Sequence, residues 1–300
     1  MSQSATSPIN KTAVAGNITE DAITAKALEA YGKTPDPRLR ELMTALVRHL
    51  HDFVREVSLT EKEWFHAIDF LTRTGHMCVG ARQEFILLSD ILGVSMVVDL
   101  VNHHKVTGAT ESTVLGPFFA NDAPELPFGG NIAPHDPGTP LFFSGRVTAP
   151  DGTPLSGAVI DAWQTGSDGL YDVQHAHREE PHMRGRFRAG SDGRYLIRSV
   201  RPISYSIPVD GPVGEIMSNC KRQPMRPAHT HFMIAAPGYD TLITHLFDPE
   251  DPLIKLDPVF AFKSSLIYDI KRHDQSEPGY AVDPPFYTVQ RDFVLSPAAR

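Results

Sequence analysis

The sequence is poor in cysteine, in clustered basic residues and in long apolar runs. Only two cysteines, Cys78 and Cys220, occur in 300 residues, which excludes a disulfide framework and fits a reducing compartment. The formal net charge is -8 and no lysine-arginine run occurs, so nucleic-acid or anionic-membrane binding is not expected. No apolar run reaches the roughly 18 residues of a membrane span, and the first residues lack the apolar centre of a secretory signal. These absences predict a soluble cytoplasmic protein.

The first third of the chain has the periodicity of amphipathic helices. Residues 1–18 are polar and small, which predicts a loose N-terminal arm. Between about residues 20 and 105, four segments place apolar residues at helical spacing. The third begins with Thr60 and Glu63, the pattern of a capping box. The fourth segment, residues 81–104, predicts one continuous helix with apolar residues on more than one face.

The rest of the chain has the pattern of short strands. Residues 111–140 are rich in proline and glycine and predict a long ordered loop. Beyond this loop, six segments alternate apolar and polar residues, and turn sequences such as PDG and SDG separate them. The sequence therefore predicts an α+β protein, with a helical N-terminal domain over residues 19–110 and a mainly-β sandwich domain over residues 111–300.

Two histidines, His229 and His231, lie two residues apart in an apolar segment. On a strand, alternate side chains point to the same face. Such a pair is compatible with satisfied polar groups at a strand end, with acid-base catalysis, or with a metal site, because imidazole is a common metal ligand. A metal site needs further ligands, and neither paired cysteines nor a matching carboxylate motif accompanies this pair.

Two tyrosines are the remaining candidate ligands. Tyr171 falls in a turn region after a predicted strand, and Tyr205 lies between Pro202 and Pro208, which restrict the backbone around it. A phenol is normally protonated, with a pKa near 10, so only a strongly Lewis-acidic ion such as Fe(III) would hold it as phenolate. A His/Tyr site therefore favours ferric iron over zinc or magnesium. Tyr195, within a strand pattern, is more simply a sheet residue.

Four stretches together resemble the intradiol ring-cleaving dioxygenases, the family of catechol, chlorocatechol and hydroxyquinol 1,2-dioxygenases. The stretches are TVLGPFF at residues 113–119 and the longer segments at residues 145–172, 184–214 and 226–247. The resemblance extends from about residue 20 to the C-terminus. The order of the two tyrosines and the His-x-His pair within these stretches is its most specific feature.

The resemblance implies a metal centre and a catalytic arginine. One non-haem Fe(III) per chain would be held by Tyr171, Tyr205, His229 and His231. Tyr205 and His231 would be axial, and Tyr171 and His229 equatorial beside a hydroxide. Tyr205 would also act catalytically by leaving the metal and accepting a substrate proton. Arg226, in the RPAH motif, would stabilise negative charge on the ring.

The resemblance also implies the partners of the protein. An aromatic diol and O2 are the expected substrates, and the ring opens between the two hydroxylated carbons. The helical domain is expected to form a homodimer, with phospholipid bound at the interface. The apolar faces of the predicted helices agree with this expectation, because they need a partner and a second copy of the chain can provide one.

Among the diols, the sequence favours hydroxyquinol (benzene-1,2,4-triol). Asp90 stands where an acceptor for an extra hydroxyl is expected, and His245 stands where catechol-cleaving relatives usually have glutamine. The segment DPVFAFKSSLIYDI also resembles the hydroxyquinol branch. By this resemblance the substrate pocket is lined by Leu87, Asp90, Val114, Leu115, Gly116, Pro117, Phe118, Ile207, Pro208, Arg226 and His245.

Other functions remain compatible with parts of the sequence. The same enzyme type with catechol or chlorocatechol as substrate is one alternative. A non-catalytic β-sandwich binding module of the prealbumin type is a second, and a zinc hydrolase is a third. A further His-x-His pair, His175 and His177, and the nearby His182 are expected to be solvent-exposed loop residues, with a second metal site as the alternative.

Overall fold

The computed structural model describes residues 18–80, 82–103, 106–175 and 180–298. The predicted N-terminal arm, apart from Ile18, and His177 lie outside these ranges. The chain divides into two compact units, the first ending at Asp69 and the second beginning at Phe70. The predicted boundary between residues 110 and 111 instead follows the change from helices to strands, and it stays a prediction.

The first unit is helical. It contains α1 (Glu20–Gly32), α2 (Pro37–Glu56) and most of α3 (Glu61–His76). The predicted capping box is confirmed, since the Glu63 amide donates to Thr60 Oγ1 at 3.3 Å and the Thr60 amide donates to Glu63 Oε2 at 2.9 Å. These local contacts fix the start of α3.

One face of α2 is apolar and exposed. The half-exposed side chains on this helix and its C-cap residue are Leu39, Leu42, Leu46, Leu50, Phe53, Val54 and Val57. A row of this size is unusual on the surface of an isolated chain. Across the described ranges, no helix pairs the length with the apolar character that crossing a membrane requires.

The second unit adds three helices. The predicted single helix over residues 81–104 is wrong, because two helices form there, α4 (Glu84–Ile91) and α5 (Val94–Asn102). Gly93 between them has a φ of 75°, a left-handed conformation that ends α4 and starts α5 in a new direction. The third helix, α6 (Pro212–Asn219), was not expected from the sequence.

The described strands of the second unit form two larger sheets and one two-stranded pair. One contains β1 (Pro140–Thr148), β4 (Arg194–Val200), β9 (Ile270–His273), β10 (Phe286–Gln290) and β11 (Phe293–Val294). The other has the order β3-β2-β7-β8, with β2 (Val159–Trp163), β3 (Arg184–Arg188), β7 (His229–Ala235) and β8 (Leu242–Phe247). A two-stranded pair joins β5 (Tyr205–Ser206) to β6 (Met225–Arg226). The predicted strands and the long loop before them are confirmed.

The two larger sheets pack face to face around one apolar core. Phe143 of β1 meets Phe232 of β7 at a ring-centroid distance of 5.4 Å, and both side chains are fully buried. Phe232 and Ile234 of β7 belong to this core. Because strand side chains alternate, His229 and His231 point to the opposite face of the sheet. A helical N-terminal region followed by a β sandwich is thus the observed fold.

Candidate metal centre

Strand β7 brings the two histidines into a buried layer outside the sandwich core. His229 and His231 are each 2 % exposed. β7 lies between β2 and β8, so that His231 is in register with Trp163 on one side and with His245 on the other. The indole of Trp163 stacks on the His231 ring, with centroids 4.7 Å apart and planes 18° apart. The sheet therefore fixes both the position and the ring orientation of His231.

The two tyrosines reach this layer from loops. Tyr171 begins a 3-10 turn, and its amide donates to Gln174 Oε1 at 2.9 Å. Tyr205 is the first residue of β5 and pairs with Arg226 of β6. Both phenols are buried, and Phe118 stacks on the Tyr171 ring with centroids 4.6 Å apart. Each phenol is thus held by its own short element and by ring packing.

Four side-chain donor atoms form a continuous chain of contacts. Tyr205 Oη lies 3.0 Å from Tyr171 Oη, which lies 2.9 Å from His231 Nε2. His231 Nε2 in turn lies 3.1 Å from His229 Nε2. Ligands about 2 Å from a common ion, at roughly right angles, are about 3 Å from one another. Each consecutive pair of these donors therefore has the spacing expected of neighbouring ligands in a metal coordination shell.

The protonation of these donors also suits a metal ion. His229 Nδ1 lies 2.6 Å from the Pro227 carbonyl oxygen and must donate to it, which leaves Nε2 as a free acceptor. Burial, followed by the charge of Arg226, holds the pKa of His229 well below its usual value. Burial raises the pKa of Tyr171 and of Tyr205 above the usual value. A bound cation would offset that effect by stabilising the phenolates.

Arg226 lies beside the donors and is paired with a carboxylate that the sequence did not point to. Its Nη1 donates to Tyr205 Oη at 3.2 Å. Its Nε and Nη2 donate to Asp257 Oδ1 and Oδ2 at 3.0 and 3.2 Å. Burial is the largest single effect on the pKa of Arg226 and lowers it, but the charge and hydrogen bonds of Asp257, together with the charges of Tyr205 and Tyr171, raise that pKa above the usual value. A useful signal was present, because an arginine in an apolar segment needs a buried counter-charge, and Asp257 opens the apolar stretch DPVFAF.

A third histidine, His245, adjoins the pair. One ring nitrogen from each of His229, His231 and His245 lies within 4.8 Å of the others. His245 is fully buried, and its Nδ1 lies 3.5 Å from Arg226 Nη2. The donor set thus offers two possible shells that share His229 and His231. One adds the two phenols and the other adds His245.

Comparisons with known proteins identify the family. The profile described as "Dioxygenase" matches residues 116–297, and the profile described as "Catechol dioxygenase N terminus" matches residues 36–110. This chain belongs to the intradiol dioxygenase family. A hydroxyquinol 1,2-dioxygenase from a Rhizobium species is 48% identical over 266 residues, which cover 87% of this chain and 90% of the relative. A 6-chlorohydroxyquinol 1,2-dioxygenase from Cupriavidus pinatubonensis is 47% identical, with 92% of this chain and 96% of the relative covered.

A solved structure supports the assignment of this chain to the dioxygenase family. The hydroxyquinol 1,2-dioxygenase of Pseudomonas putida superposes with a TM-score of 0.86 and is 46% identical. The match covers 93% of this chain and 99% of that structure. The helical region followed by the β sandwich is therefore a fold that this chain shares with that solved structure.

Five of the pocket residues predicted for this dioxygenase pack in or against three apolar clusters, and the role of the whole set in a substrate pocket stays a prediction. Leu87 and Ile207 pack in one buried cluster, and Val114 lies in another beside Val259. Leu115 and Phe118 pack against the cluster of Trp163, Tyr171 and Tyr205. Gly116 has a φ of 77°, and a Cβ atom there would lie 3.4 Å from His231 Cε1. Pro117 and Pro208 are partly buried, and their role as pocket residues stays a prediction.

Asp90 of the dioxygenase is a buried acid, only 2 % exposed. Its Oδ1 has no hydrogen-bond partner in the structure. Burial raises the pKa of Asp90 from 3.8 to about 6, while a hydrogen bond from Ser95 and the charge of Arg226 oppose burial only in part. An unpaired buried oxygen of this kind is costly to the fold. It is also an acceptor that a ligand hydroxyl can satisfy.

We expect Asp90→Asn to stabilise the dioxygenase at neutral pH. The raised pKa means that the folded state binds the Asp90 proton more tightly than the unfolded state does. The stability tied to this group is thus complete below pH 3.8 and is lost as pH rises through about 6. The variant should gain about 1–3 kcal/mol in unfolding free energy at about pH 7, and much less at about pH 4.5. Urea unfolding at both values measures this, and an equal gain at both would contradict it.

The second histidine group is placed differently from the expectation. His175 and His182 are partly buried and not fully solvent-exposed, since their side chains are 27% and 15% exposed. His175 Nε2 lies 3.2 Å from Asp168 Oδ2, and His182 Nε2 lies 3.8 Å from Asp136 Oδ2. Carboxylates on the neighbouring turns hold both rings against the protein, which accounts for their burial.

Proposed function

We propose that this enzyme uses O2 to open the ring of hydroxyquinol between its two adjacent hydroxylated carbons. The product is 3-hydroxy-cis,cis-muconate, which tautomerises to maleylacetate, and both atoms of O2 enter it. The observation that carries the proposal is the chain of contacts joining Tyr205, Tyr171, His231 and His229 through their donor atoms. A binding module of the prealbumin type has no use for four converging ligands.

The proposed cofactor is one non-haem Fe(III), held by Tyr171, Tyr205, His229 and His231. The two phenols are the reason to prefer ferric iron, because a softer divalent ion does not keep a phenol ionised at neutral pH. By family analogy these four side chains would hold the ion. When bound, the ferric ion would supply a Lewis acid that orients the diol and stabilises its charge.

The side chains around the donors have separate tasks. In this proposal Tyr205 Oη accepts a proton from a diol hydroxyl, and the hydrogen bond from Arg226 Nη1, 3.2 Å long, supports that role by orienting the oxygen. The Arg226 guanidinium is a fixed cation in a water-poor site, where it stabilises negative charge on the ring. The apolar side chains of Leu87, Val114 and Ile207 suit the faces of a flat aromatic ring.

The third hydroxyl of hydroxyquinol has a candidate partner in Asp90. Its unpaired oxygen can accept a hydrogen bond from that hydroxyl, whereas catechol leaves the oxygen unsatisfied. His245 adds a polar group on the same side of the pocket as Arg226. Both closely similar relatives described above are named for hydroxyquinol or its 6-chloro derivative, which supports the same preference here.

The test combines a spectrum with substrate rates. We expect the purified protein to be red from phenolate-to-Fe(III) charge transfer. The band should move to longer wavelength when hydroxyquinol is added without oxygen. With oxygen, kcat/KM for hydroxyquinol should exceed that for catechol and for chlorocatechol. A tenfold preference for catechol would overturn the Asp90 and His245 assignment while leaving the reaction type intact.

A zinc hydrolase is the second candidate, favoured only by the three-histidine group. The variant His245→Gln separates the two shells, because it removes a ligand from the three-histidine shell and none from the His/Tyr shell. We expect it to keep full iron content and colour, with a changed preference among diols. Loss of the metal in this variant, together with a colourless zinc-containing parent, would favour the hydrolase.

We propose that the protein forms a homodimer through the helical region, with phospholipid also bound at that interface. The exposed apolar row on α2 supports this proposal. Burial of such a row against a second copy would remove it from water. Both cysteines are free, in keeping with the proposed cytoplasmic location. Sedimentation and lipid extraction from the purified protein test the dimer and the lipid separately.

A further inference from the structure

Asp257 is a buried acid with no assigned role. Its side chain is 1% exposed. Its two oxygens face the Nε and Nη2 atoms of Arg226 at 3.0 and 3.2 Å. The same oxygens also accept the backbone amides of Val259 at 3.3 Å and Ala261 at 3.2 Å. The carboxylate is thus anchored to its own loop while it grips the arginine.

This two-point contact fixes the direction of the guanidinium. An arginine has five N–H donors in one rigid plane, and a carboxylate that takes Nε and Nη2 sets the orientation of that plane. The remaining terminal nitrogen, Nη1, then points at Tyr205 Oη, 3.2 Å away. Nη2 also lies 3.5 Å from His245 Nδ1. The direction in which Arg226 meets the donors is therefore set from its far side.

We propose that Asp257 is a positioning residue for the reaction, which acts through Arg226 by aiming its guanidinium at Tyr205 and the bound ring. The inference rests on the proposed function, since it needs Arg226 to stabilise charge on the substrate. It goes beyond that function because it assigns a role to Asp257, which acts on the reacting atoms only through the side chain of Arg226. A buried arginine without this partner would be free to turn towards any other acceptor in the pocket.

The test is a double-mutant cycle with Arg226→Gln, Asp257→Asn and both changes together. Steady-state rates on hydroxyquinol are measured for all four proteins, with iron content and the visible band as checks. Loss of a preorganised donor in such a site costs about 100- to 1,000-fold in kcat. Loss of a group that only supports such a residue costs about 10- to 100-fold, and we expect that loss in kcat for Asp257→Asn, with KM nearly unchanged. In the Arg226→Gln background the same change should cost less than about threefold, because the group it aims is gone.

A control comes from another ion pair of the sandwich, in which the acid is buried and the Arg186 side chain is 32% exposed. Asp161 is 3% exposed, and its carboxylate accepts two hydrogen bonds from Arg186, at 2.7 and 2.8 Å. Asp161→Asn breaks a similar pair away from Arg226. It should lower stability by an amount comparable with Asp257→Asn while leaving kcat within about twofold of the parent.

Two results would overturn the proposal. One is a wild-type kcat in Asp257→Asn. The other is that Asp257→Asn lowers kcat by the same factor in the parent and in Arg226→Gln, which would mean that Asp257 supports the fold and not the arginine. If Asp257→Asn does not fold, the cycle is run with Asp257→Glu, which keeps the charge but displaces the carboxylate by one methylene, and the same two criteria apply. Failure of the proposed function is seen separately, as an absence of hydroxyquinol cleavage in the parent protein.

Discussion

Replacing Tyr171 with phenylalanine is expected to remove most of the iron and to lower kcat/KM about a thousandfold or more. Tyr171 Oη is the central atom of the donor chain, with Tyr205 Oη at 3.0 Å and His231 Nε2 at 2.9 Å. Removing a group that merely supports a ligand typically costs about 10- to 100-fold in metal affinity or activity, and removing a ligand costs more. Iron per chain, visible absorbance and hydroxyquinol turnover measure the result.

Tyr195→Phe is the matched control for this change. Tyr195 is also a buried tyrosine of the same sandwich, 2 % exposed, and its hydroxyl donates to the Arg291 carbonyl oxygen at 2.6 Å. It loses the same atom without touching the donors, so it should keep iron, colour and turnover. If Tyr171→Phe kept its iron and its activity as the control does, the four-donor shell would be wrong.

Replacing Tyr205 with phenylalanine should affect turnover more than it affects iron binding. We expect iron to stay partly bound, because Tyr171, His229 and His231 still supply three donors. We expect turnover to fall about 100- to 1,000-fold, because the variant loses both a proton acceptor at Oη and the atom that Arg226 Nη1 contacts. The red colour should weaken and persist, since one phenolate remains.

Single-turnover measurements distinguish the two tyrosines. Tyr205→Phe should still react slowly after it has been reloaded with iron to the parent level. A variant that is slow only because it lacks metal would recover the parent rate. A fully active Tyr205→Phe protein would remove Tyr205 from the ligand set and from proton transfer. Recovery of the parent rate on reloading would leave it as a ligand alone.

Local signals in the sequence were enough for the elements that local contacts decide. The capping box of Thr60 and Glu63 marks the start of α3, and the alternation around Phe232 marks β7 as a strand with its histidines on one face. The break at Gly93 was missed because the apolar pattern continues across it, and a glycine in a helical pattern is often tolerated. The short helix α6 was missed because its segment begins with Pro212 and is too short for a clear period.

Prediction from local sequence signals was limited in the same way, and more clearly, at the candidate metal centre. The spacing of His229 and His231 points to a possible metal pair without any knowledge of the fold. The two phenols were candidates from their turn and proline contexts, but their assignment as ligands came from family resemblance, since nothing local in the sequence states that Tyr171 and Tyr205 meet. Asp257 was missed for the same reason, since its contact with Arg226 joins residues 31 positions apart through tertiary packing. Pairings of this kind depend on the topology of the sheets.

The way the donors are distributed along the chain has a consequence for maturation of the enzyme. His229 and His231 lie on one strand, but Tyr171 is 60 positions from His231 and arrives on a separate loop. A chain emerging from the ribosome can thus present iron with two imidazoles at most until β2 and β7 have paired and the loop has closed. Iron that required the completed proposed shell would be captured after folding, and it would then stabilise the native state by mass action. Iron-free chains should therefore be the ones that cellular proteases remove first.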